Sequence, residues 1–431
     1  MKKLLVLAAA LSLICACNTD REHILKVYNW SEYIEPDVVG EFEQWYKEQT
    51  GEDVRVIYQT FDVNETMLSK IEKGHEDFDV VCPSDYIIER MLQNDLLLPI
   101  LKDFGDTPNY IQEYLSPFAR ACFDKIEGGG KNANDYAVGY MWGTTGIIYN
   151  AKYVTDEEAS TWDVLRNPKF DGKIFMKESA RDVFSQIIIF LRQKELEEGT
   201  VTLDDLMHDS SDKALADVEA FLADVKPLVA GWEADFGKDQ MVQERGWISL
   251  NWSGDGLWTA EQAAPNGIEL RYSTPKEGFT LWFDGWVIPK YARNPKAASY
   301  WINFMSKPDV AIRNTIETGY VTTCSAPEML EEFTEEEYEP VDVSYFFPGV
   351  DSARVNPVRY PDKSAIDRST IEHDWGDRTP ALIEMWNRVK GDNASGLTMV
   401  VVAVFIVALA AFAVWSRLFK GRKRGGRKHR R

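Results

Sequence analysis

Residues 24–34 have the sequence ILKVYNWSEYI, residues 54–62 have VRVIYQTFD, and residues 78–86 have FDVVCPSDY. Each segment begins with a short apolar run, which is typical of a strand buried on both faces. Apolar residues at helical spacing occupy the two intervals, namely Val38, Val39, Phe42, Trp45 and Tyr46 in the first and Met67, Leu68 and Ile71 in the second. This alternation predicts a βαβαβ unit, so the fold class is α/β with a largely parallel sheet.

The residues that directly follow these three strands share a chemical character. Trp30-Ser31-Glu32-Tyr33 follows the first strand, Phe61-Asp62 the second, and Ser84-Asp85-Tyr86 the third. Open parallel sheets bind ligands beyond the carboxyl ends of their strands, so we expect these loops to lie at one ligand-binding edge. Aromatic rings beside acids in loops that face solvent indicate a binding site at that edge.

The same alternation of elements continues along the body of the chain. The predicted elements are strand Gly139–Asn150, helix Val183–Leu191, strands Trp247–Asn251 and Leu281–Ile288, and two helices between Asn294-Pro295 and Gly319. Side chains alternate across a strand, so Trp282 and Asp284 are expected to share one face. Asp284 is therefore a candidate to face the same pocket as the Trp282 ring.

The charge distribution excludes one large class of partner. The chain has a formal net charge of -21, although nine Lys and Arg and no acid follow residue 416. The body before that tail is therefore strongly acidic. An acidic body repels nucleic acid and attracts cations, which excludes a DNA-binding role for it.

Motifs for catalysis, cofactors and metals do not occur in the sequence. It contains no G-x-S-x-G, H-E-x-x-H, Walker or G-x-G-x-x-G pattern, and the His residues before the tail have no metal-ligand spacing. Two acids alone can support glycoside hydrolysis, so a glycosidase remains an alternative. Three Cys in the body, Cys82, Cys122 and Cys324, allow at most one internal disulfide. We expect no enzyme activity, no cofactor and no metal.

Both ends of the chain carry membrane signals. Residues 1–16 have the layout of a signal peptide and end at a lipobox-like sequence, which predicts lipidation of Cys17; ordinary cleavage without lipid is the alternative. After a linker at residues 392–396, the uncharged run Leu397–Trp415 is long enough to span a bilayer, and we assign residues 397–416 to a transmembrane helix. The basic tail 417–431 is then cytoplasmic, and the body lies outside.

Seven motifs, in the same order along the chain, resemble those of bacterial spermidine/putrescine-binding proteins. They are the stretch from Tyr28 to Ile34, Asp79–Ser84, Tyr140–Gly146, Arg181–Phe184, Trp252–Asp255, Pro275–Gly278 and Trp282–Asp284. The resemblance implies a two-lobed periplasmic binding fold of type II, with residues 18–141 and 283–330 in lobe 1 and residues 142–282 and 331–391 in lobe 2. It further implies capture of a polyamine and its delivery to the membrane subunits of an ABC importer, without catalysis.

The resemblance also assigns ligand-binding positions. They are Trp30, Ser31, Glu32, Tyr33, Ser84, Tyr86, Asp182, Trp252, Asp255, Trp282, Asp284 and Tyr320. In the family, an amine-binding acid stands at the position of Asp182, an aromatic wall at Trp252, and an acid of the putrescine-selective branch at Asp255. The spermidine branch has Asp where this chain has Ser179, which favours putrescine over spermidine. A late family glutamine aligns only loosely near Glu372.

Polyamine chemistry agrees with these residue types. Putrescine and spermidine carry protonated amines on a methylene chain, so a site needs carboxylates for the amines and flat apolar walls for the methylenes. Indole rings serve both methylenes and cations. Two other functions stay open: a membrane-anchored sensor of the same fold, and a binding protein for another small cationic solute.

Overall fold

The computed structural model describes residues 21–233 and 236–391. The predicted signal peptide, Cys17, the linker, the transmembrane segment and the basic tail lie outside these residues. The chain divides into two compact units, Met1–Thr379 and Pro380–Arg431. Of the second unit, the structure describes residues 380–391, most of which belong to one helix.

The predicted βαβαβ unit is confirmed. Strand β1 (Ile24–Trp30) pairs in parallel with β2 (Arg55–Phe61) along its whole length, with Ile24 opposite Arg55 and Trp30 opposite Phe61. Strand β3 (Val80–Val81) pairs in parallel with β1 on its other side. The first connecting helix ends at Gly51, which adopts the left-handed conformation with φ of 74°. The apolar pattern of these residues therefore predicted the three strands, the two connecting helices and their order along the chain.

The strands lie mostly in one sheet. The remaining strands are β4 (Leu97–Leu98), β5 (Glu127–Gly128), β6 (Lys131–Asn132), β7 (Ala137–Asn150), β8 (Ile174–Lys177), β9 (Val229–Glu233), β10 (Ile248–Trp252), β11 (Leu270–Ser273), β12 (Phe279–Pro289), β13 (Val321–Thr322), β14 (Val341–Asp342), β15 (Ser352–Ala353) and β16 (Ser369–Ile371). Twelve strands of the described chain form a sheet with the main order β2-β1-β3-β12-β7-β10-β8-β9. The pairs β5–β6 and β14–β15 form small separate ladders.

Helices connect these strands. They are α1 (Asp37–Thr50), α2 (Asn64–Glu72), α3 (Asp85–Gln93), α4 (Tyr110–Tyr114), α5 (Pro117–Asp124), α6 (Asp156–Ala159), α7 (Ala180–Leu191), α8 (Gln193–Glu197), α9 (Leu203–His208), α10 (Asp212–Val225), α11 (Gly237–Val242), α12 (Ser253–Ala263), α13 (Pro295–Met305), α14 (Pro308–Thr318), α15 (Pro327–Phe333), α16 (Lys363–Ile366) and α17 (Thr379–Lys390). The side chain of Asn294 accepts a hydrogen bond from the Ala297 backbone, so it caps α13 as its position predicts. None of the helices among the described residues is both long and apolar enough to cross a membrane.

The sheet is mixed, which corrects the expectation of a largely parallel one. Strand β12 runs antiparallel to both β3 and β7, and β10 runs antiparallel to β7. The prediction was wrong because a continuous apolar run marks a buried strand and gives no information about the direction of its neighbours. Parallel pairs remain where βαβ crossovers connect strands, as in β1–β2 and β8–β9.

The fourteen-residue strand β7 links the two parts of the sheet. Its first part pairs with β12, with Ala137 opposite Val287 and Thr144 opposite Leu281. Its second part pairs with β10 and β11. All fourteen residues of β7 are buried. The middle of this strand is therefore the point at which segments from both parts meet.

An aromatic core packs behind the first strands. Phe42 of α1 contacts Trp301 of α13 with ring centroids 5.1 Å apart, and Trp286 of β12 contacts the same indole at 5.9 Å. Both pairs are edge-to-face, the arrangement that ring quadrupoles favour. This cluster fixes α1 and α13 against the sheet, so the loops at the strand ends are held by a rigid support.

Cys82, Cys122 and Cys324 are each buried and carry free thiols. Burial raises the pKa of Cys122 and of Cys324 to about 12, so neither forms a thiolate near neutral pH. These residues pack as small apolar side chains.

Candidate ligand-binding site

Three aromatic side chains converge on the middle of β7. Trp282 lies opposite Gly143 in the β12 ladder, and Trp252 lies opposite Thr145 in the β10 ladder. Tyr320 directly precedes β13, which pairs with β7 at Trp142 and Met141. The rings of Trp282 and Tyr320 meet edge-to-face at 5.3 Å. A methyl group added at Gly143 would overlap the Trp282 ring, so this close approach requires glycine.

Asp284 lies two residues beyond Trp282 and is buried. Its carboxylate accepts hydrogen bonds from the hydroxyl of Ser84 at 2.7 Å and from the hydroxyl of Tyr33 at 2.8 Å. The ladder between β12 and β7 shifts register directly after Asp284, as at a β-bulge. A bridge between Asp284 and Ser84 holds the two backbones together. The structure thus joins the predicted second loop to the predicted aromatic-acid pair.

The pKa of Asp284 is raised from its ordinary value to about 6, mainly by burial and in part by the negative charge of Asp182. Hydrogen bonds from Ser84 and Tyr33 act in the opposite direction. The carboxyl group is therefore held in a desolvated position in which its negative charge is only partly compensated.

The loops after β1 and β2 meet as expected. The rings of Trp30 and Phe61 lie 4.5 Å apart, and the Ser31 hydroxyl donates to the Asp62 carboxylate at 2.8 Å. Ser31 and Glu32 are exposed, and Glu32 adopts a left-handed backbone with φ of 53°. This turn brings Tyr33, rather than Glu32, onto Asp284.

The loop after β3 is held by a residue that sequence reasoning did not select. The side-chain amide of Asn64, at the start of α2, donates to the Ser84 hydroxyl at 3.0 Å and to the Tyr86 hydroxyl at 3.1 Å. Asn64 is buried, so these two hydrogen bonds hold its side-chain amide in place. The Arg181 guanidinium stacks on the Tyr86 ring at 4.7 Å, which gives Tyr86 a packing role in the same network.

Asp182 lies in the first turn of α7, where the helix dipole favours a negative charge. Its carboxylate accepts a hydrogen bond from the indole N–H of Trp252 at 3.2 Å and from the Thr145 hydroxyl at 3.4 Å. Ser179 caps the helix by accepting from the Asp182 backbone N–H at 3.3 Å. The hydrogen bond from the Trp252 indole therefore holds the Asp182 carboxylate in position.

Two further buried acids lie within electrostatic range of this group. Burial raises the pKa of Glu372 well above its usual range, and the charge of Asp182 adds to the shift. One carboxyl oxygen of Glu372, Oε1, is buried without a hydrogen-bond partner. Burial also raises the pKa of Asp85 to about 8, but this side chain accepts from the backbone N–H groups of Tyr86 and Phe283. Glu372 is therefore the acid of the pair that is available to a ligand.

Asp255 has partners of its own. Its carboxylate lies 3.1 Å from the Lys177 ammonium and 3.6 Å from the Lys238 ammonium. Burial alone would raise the pKa of Asp255, but these two positive charges outweigh it and hold the pKa below its usual range. Lys177 also lies over the Trp252 ring at 4.2 Å from its centroid. A protein amine thus stands beside both Asp255 and Trp252, where the resemblance had implied a ligand amine.

The site is therefore an acidic cluster with aromatic walls. Burial raises the pKa of Asp284 and that of Glu372, and the negative charge of Asp182 contributes to both shifts. The rings of Trp282, Tyr320 and Trp30 are partly buried. A cationic ligand would neutralise the repulsion and replace the lost hydration of these carboxylates. The arrangement is suited to binding ammonium groups on an apolar chain.

Sequence reasoning missed Asn64 and Lys177, and it did not select Glu372 because the family glutamine aligns only loosely near that residue. Asn64 resembles an ordinary helix-start residue, and Lys177 resembles the last residue of a strand. Glu372 follows β16 directly, so the rule that ligands bind beyond strand ends was the available signal, but β16 was not predicted.

Comparison with known proteins finds a matching family and several relatives. The model of the family described as bacterial extracellular solute-binding protein matches residues 41–337. The spermidine/putrescine-binding periplasmic protein of Escherichia coli (strain K12) is 30% identical over 324 residues, covering 74% of this chain and 83% of that protein. Putrescine-binding periplasmic protein PotF of the same strain is 29% identical over 321 residues, covering 71% and 79%.

A solved structure extends the similarity to three dimensions. The spermidine/putrescine ABC transporter substrate-binding protein PotD from Streptococcus pneumoniae superposes with a TM-score of 0.62 at 28% identity. The match covers 85% of this chain and 98% of that one.

Proposed function

This chain belongs to the bacterial extracellular solute-binding proteins, a family that binds solutes and does not catalyse reactions, and on that premise we propose that its acidic cluster captures a polyamine. The curated relatives are named for binding spermidine and putrescine. The captured polyamine is then delivered to the membrane subunits of an ABC importer.

One observation carries the choice of ligand. Two buried acids, Asp284 and Glu372, have pKa values that are raised by burial and by the negative charge of the half-buried Asp182, and the Trp282 and Tyr320 rings pack together beside Asp284. Burying uncompensated carboxylates is costly, so the site gains most from a ligand that brings more than one positive charge. A neutral sugar brings no charge, and an anion would increase the repulsion.

A diamine fits this charge distribution better than a triamine. In this proposal Asp284 pairs with one amine of the ligand, and Asp182 and Glu372 pair with the other. The Lys177 ammonium already lies beside Asp255 and over the Trp252 ring. Ser179 caps α7 and adds no charge. We therefore propose that the site binds putrescine more tightly than spermidine. Asp255 does not contribute to this preference, because its charge is used within the protein.

Capture requires the chain to close around the ligand. The division into residues 18–141 with 283–330 and residues 142–282 with 331–391 places Asp284 in one lobe and Asp182 with Glu372 in the other. Strand β7 crosses between them at Met141 and Trp142. Closure of the lobes would bring the acids onto a single ligand and exclude water, which strengthens each ion pair.

Both ends of the chain anchor it to the cytoplasmic membrane of a bacterium. The support is the sequence of the two ends: a signal peptide with a lipobox at Cys17, and the apolar run Leu397–Trp415 followed by the basic tail. The body then faces the periplasm or exterior, where a solute-binding protein meets its ligand. Two anchors in one bilayer keep the body beside the importer.

The proposal is tested by calorimetric titration of the purified full chain in detergent with putrescine, spermidine, an amino acid and a sugar. We expect saturable binding of the polyamines and none of the sugar. Asp284→Asn should weaken putrescine binding by about 2–5 kcal/mol, because it leaves a buried ammonium without its charged partner.

The matched control is Glu331→Gln, which removes one negative charge from an exposed position of α15 and should leave the affinity unchanged. Equal putrescine affinity in Asp284→Asn and the parent would show that the acidic cluster is not the binding site.

A further inference from the structure

Glu89, His208 and His373 place three possible metal ligands together, outside the acidic cluster. They come from α3, from the end of α9 and from the segment after β16. One ligand atom from each lies within 4.8 Å of the other two. The two imidazole rings stack with centroids 4.0 Å apart. No spacing pattern in the sequence indicates this group, because neighbouring members are separated by more than a hundred residues.

Each of the two imidazoles can offer one ring nitrogen to a metal. Nδ1 of His208 lies 3.0 Å from the backbone carbonyl oxygen of Asp204, so this nitrogen donates and Nε2 keeps its lone pair. Both ring nitrogens of His373 face carboxylates, Nδ1 that of Glu89 at 3.0 Å and Nε2 that of Asp204 at 3.3 Å. A metal ion would take the place of a proton between Nδ1 and Glu89, while Nε2–H donates to Asp204. Metal-binding His residues in proteins are oriented in this way by carbonyl or carboxylate acceptors.

The remaining contacts hold the ligands in place. The backbone N–H of Asp374 donates to the Glu89 carboxylate at 3.0 Å, and the Arg181 guanidinium donates to the His373 carbonyl at 2.6 Å. His373 is buried, whereas His208 is exposed. An ion can therefore enter from solvent and keep a water molecule as a further ligand.

We propose that Glu89, His208 and His373 bind a divalent transition metal, with Zn²⁺ as the best fit. Two imidazoles, one carboxylate and a water form a tetrahedral set that Zn²⁺ accepts, whereas Mg²⁺ and Ca²⁺ prefer oxygen ligands throughout. Glu89 belongs to the first predicted lobe, and His208 and His373 belong to the second. A bound ion would tie these two segments together.

The competing explanation is an ion pair without a metal, in which a protonated His373 bridges the Glu89 and Asp204 carboxylates. The two explanations differ in whether Zn²⁺ binds and whether His208 contributes. His208 is the informative position, because it is exposed and its replacement does not leave a cavity in the core.

The test is titration of the EDTA-treated, dialysed full chain in detergent with ZnCl₂, without polyamine. We expect one Zn²⁺ per chain, and His208→Ala should weaken binding by at least about tenfold. His75→Ala, at another exposed His, is the matched control and should bind like the parent. Co²⁺ in place of Zn²⁺ should give visible absorption typical of tetrahedral coordination, and His208→Ala should abolish it.

Circular dichroism confirms that each variant is folded. No saturable Zn²⁺ binding by the parent, or equal binding by the parent and His208→Ala, would overturn the proposal. The result does not depend on whether the chain binds polyamines, because no polyamine is present.

Discussion

The carboxyl group of Asp284 determines how the site responds to pH. It is buried, and two hydroxyl groups donate to it. Its pKa of about 6 is above the ordinary value for Asp, mainly because burial disfavours the charged form. In the unliganded protein the raised pKa stabilises the fold at low pH, and this contribution is lost as the pH rises through about 6.

Polyamine affinity should have the opposite pH dependence. A bound ammonium requires the ionised form of Asp284, so affinity should fall by about tenfold between pH 7.5 and pH 5. Binding near pH 6 should release protons, since the ligand lowers the pKa of the acid. Calorimetry at pH 6 in two buffers of different ionisation enthalpy measures this release. An affinity that is constant over this range would show that Asp284 is already ionised or does not face the ligand.

Asp255 should matter more for stability than for binding. Replacing it with Asn leaves the buried Lys177 ammonium with less compensation, which we expect to lower the free energy of unfolding by about 3–5 kcal/mol. Putrescine affinity should change by less than tenfold. Urea denaturation of the unliganded protein and calorimetry measure the two effects.

The control for this change is Asp163→Asn, which breaks an exposed ion pair with Arg166 and should cost less than about 1 kcal/mol. A stable Asp255→Asn variant with strongly weakened putrescine binding would show instead that Asp255 binds the ligand, as the family resemblance had implied.

At the scale of elements, the middle of β7 organises the site. Gly143 and Thr145 lie opposite Trp282 and Trp252 in two different ladders, so one strand sets the positions of both indoles. The helices α7 and α12 begin directly beside this point and carry Asp182 and Asp255 in their first turns. The regularity of the sheet therefore fixes the relative positions of acids and aromatic walls.

Gly143→Ala tests this organisation. The added methyl would overlap the Trp282 ring and the Ser253 hydroxyl, so the indole must shift. We expect a stability loss of about 1–3 kcal/mol and putrescine affinity lowered by about tenfold or more. Thermal denaturation and calorimetry provide the two values.

Gly40→Ala, in α1, is a suitable comparison. A methyl group there meets no atom within 4 Å, and alanine is a better helix former than glycine. This variant should be slightly more stable and bind as the parent does. Unchanged binding in Gly143→Ala would mean that the position of Trp282 does not determine affinity.

At the scale of the whole molecule, the proposed anchors define the orientation of the chain. Lipid on Cys17 and a helix at Leu397–Trp415 would place the body on the outer face of the cytoplasmic membrane and the tail after residue 416 inside. Protease added to intact spheroplasts should digest the body and spare a tag placed after Arg431. A blot for the tag measures this, with lysed spheroplasts as the control. Loss of the tag in intact spheroplasts would contradict the orientation.

The sequence alone determined the α/β class, the order of the first five elements and the strand-end loops that contain Trp30, Tyr33 and Ser84. These features depend on apolar periodicity and on caps such as Gly51 and Asn294, which act over a few residues and are visible in the chain itself. The alignment of Trp282 with Asp284 followed from the two-residue repeat of a strand.

Only the tertiary structure decided which charges meet. Asp255 is paired with Lys177, 78 residues away in the chain, and Glu372 is brought within range of Asp182. The tertiary structure likewise decided the antiparallel direction of β12 and brought Glu89, His208 and His373 together. A charged residue has the same local pattern whether it is solvated, paired or facing a ligand. Its role is set by the elements that pack against it, and that packing is a property of the whole fold.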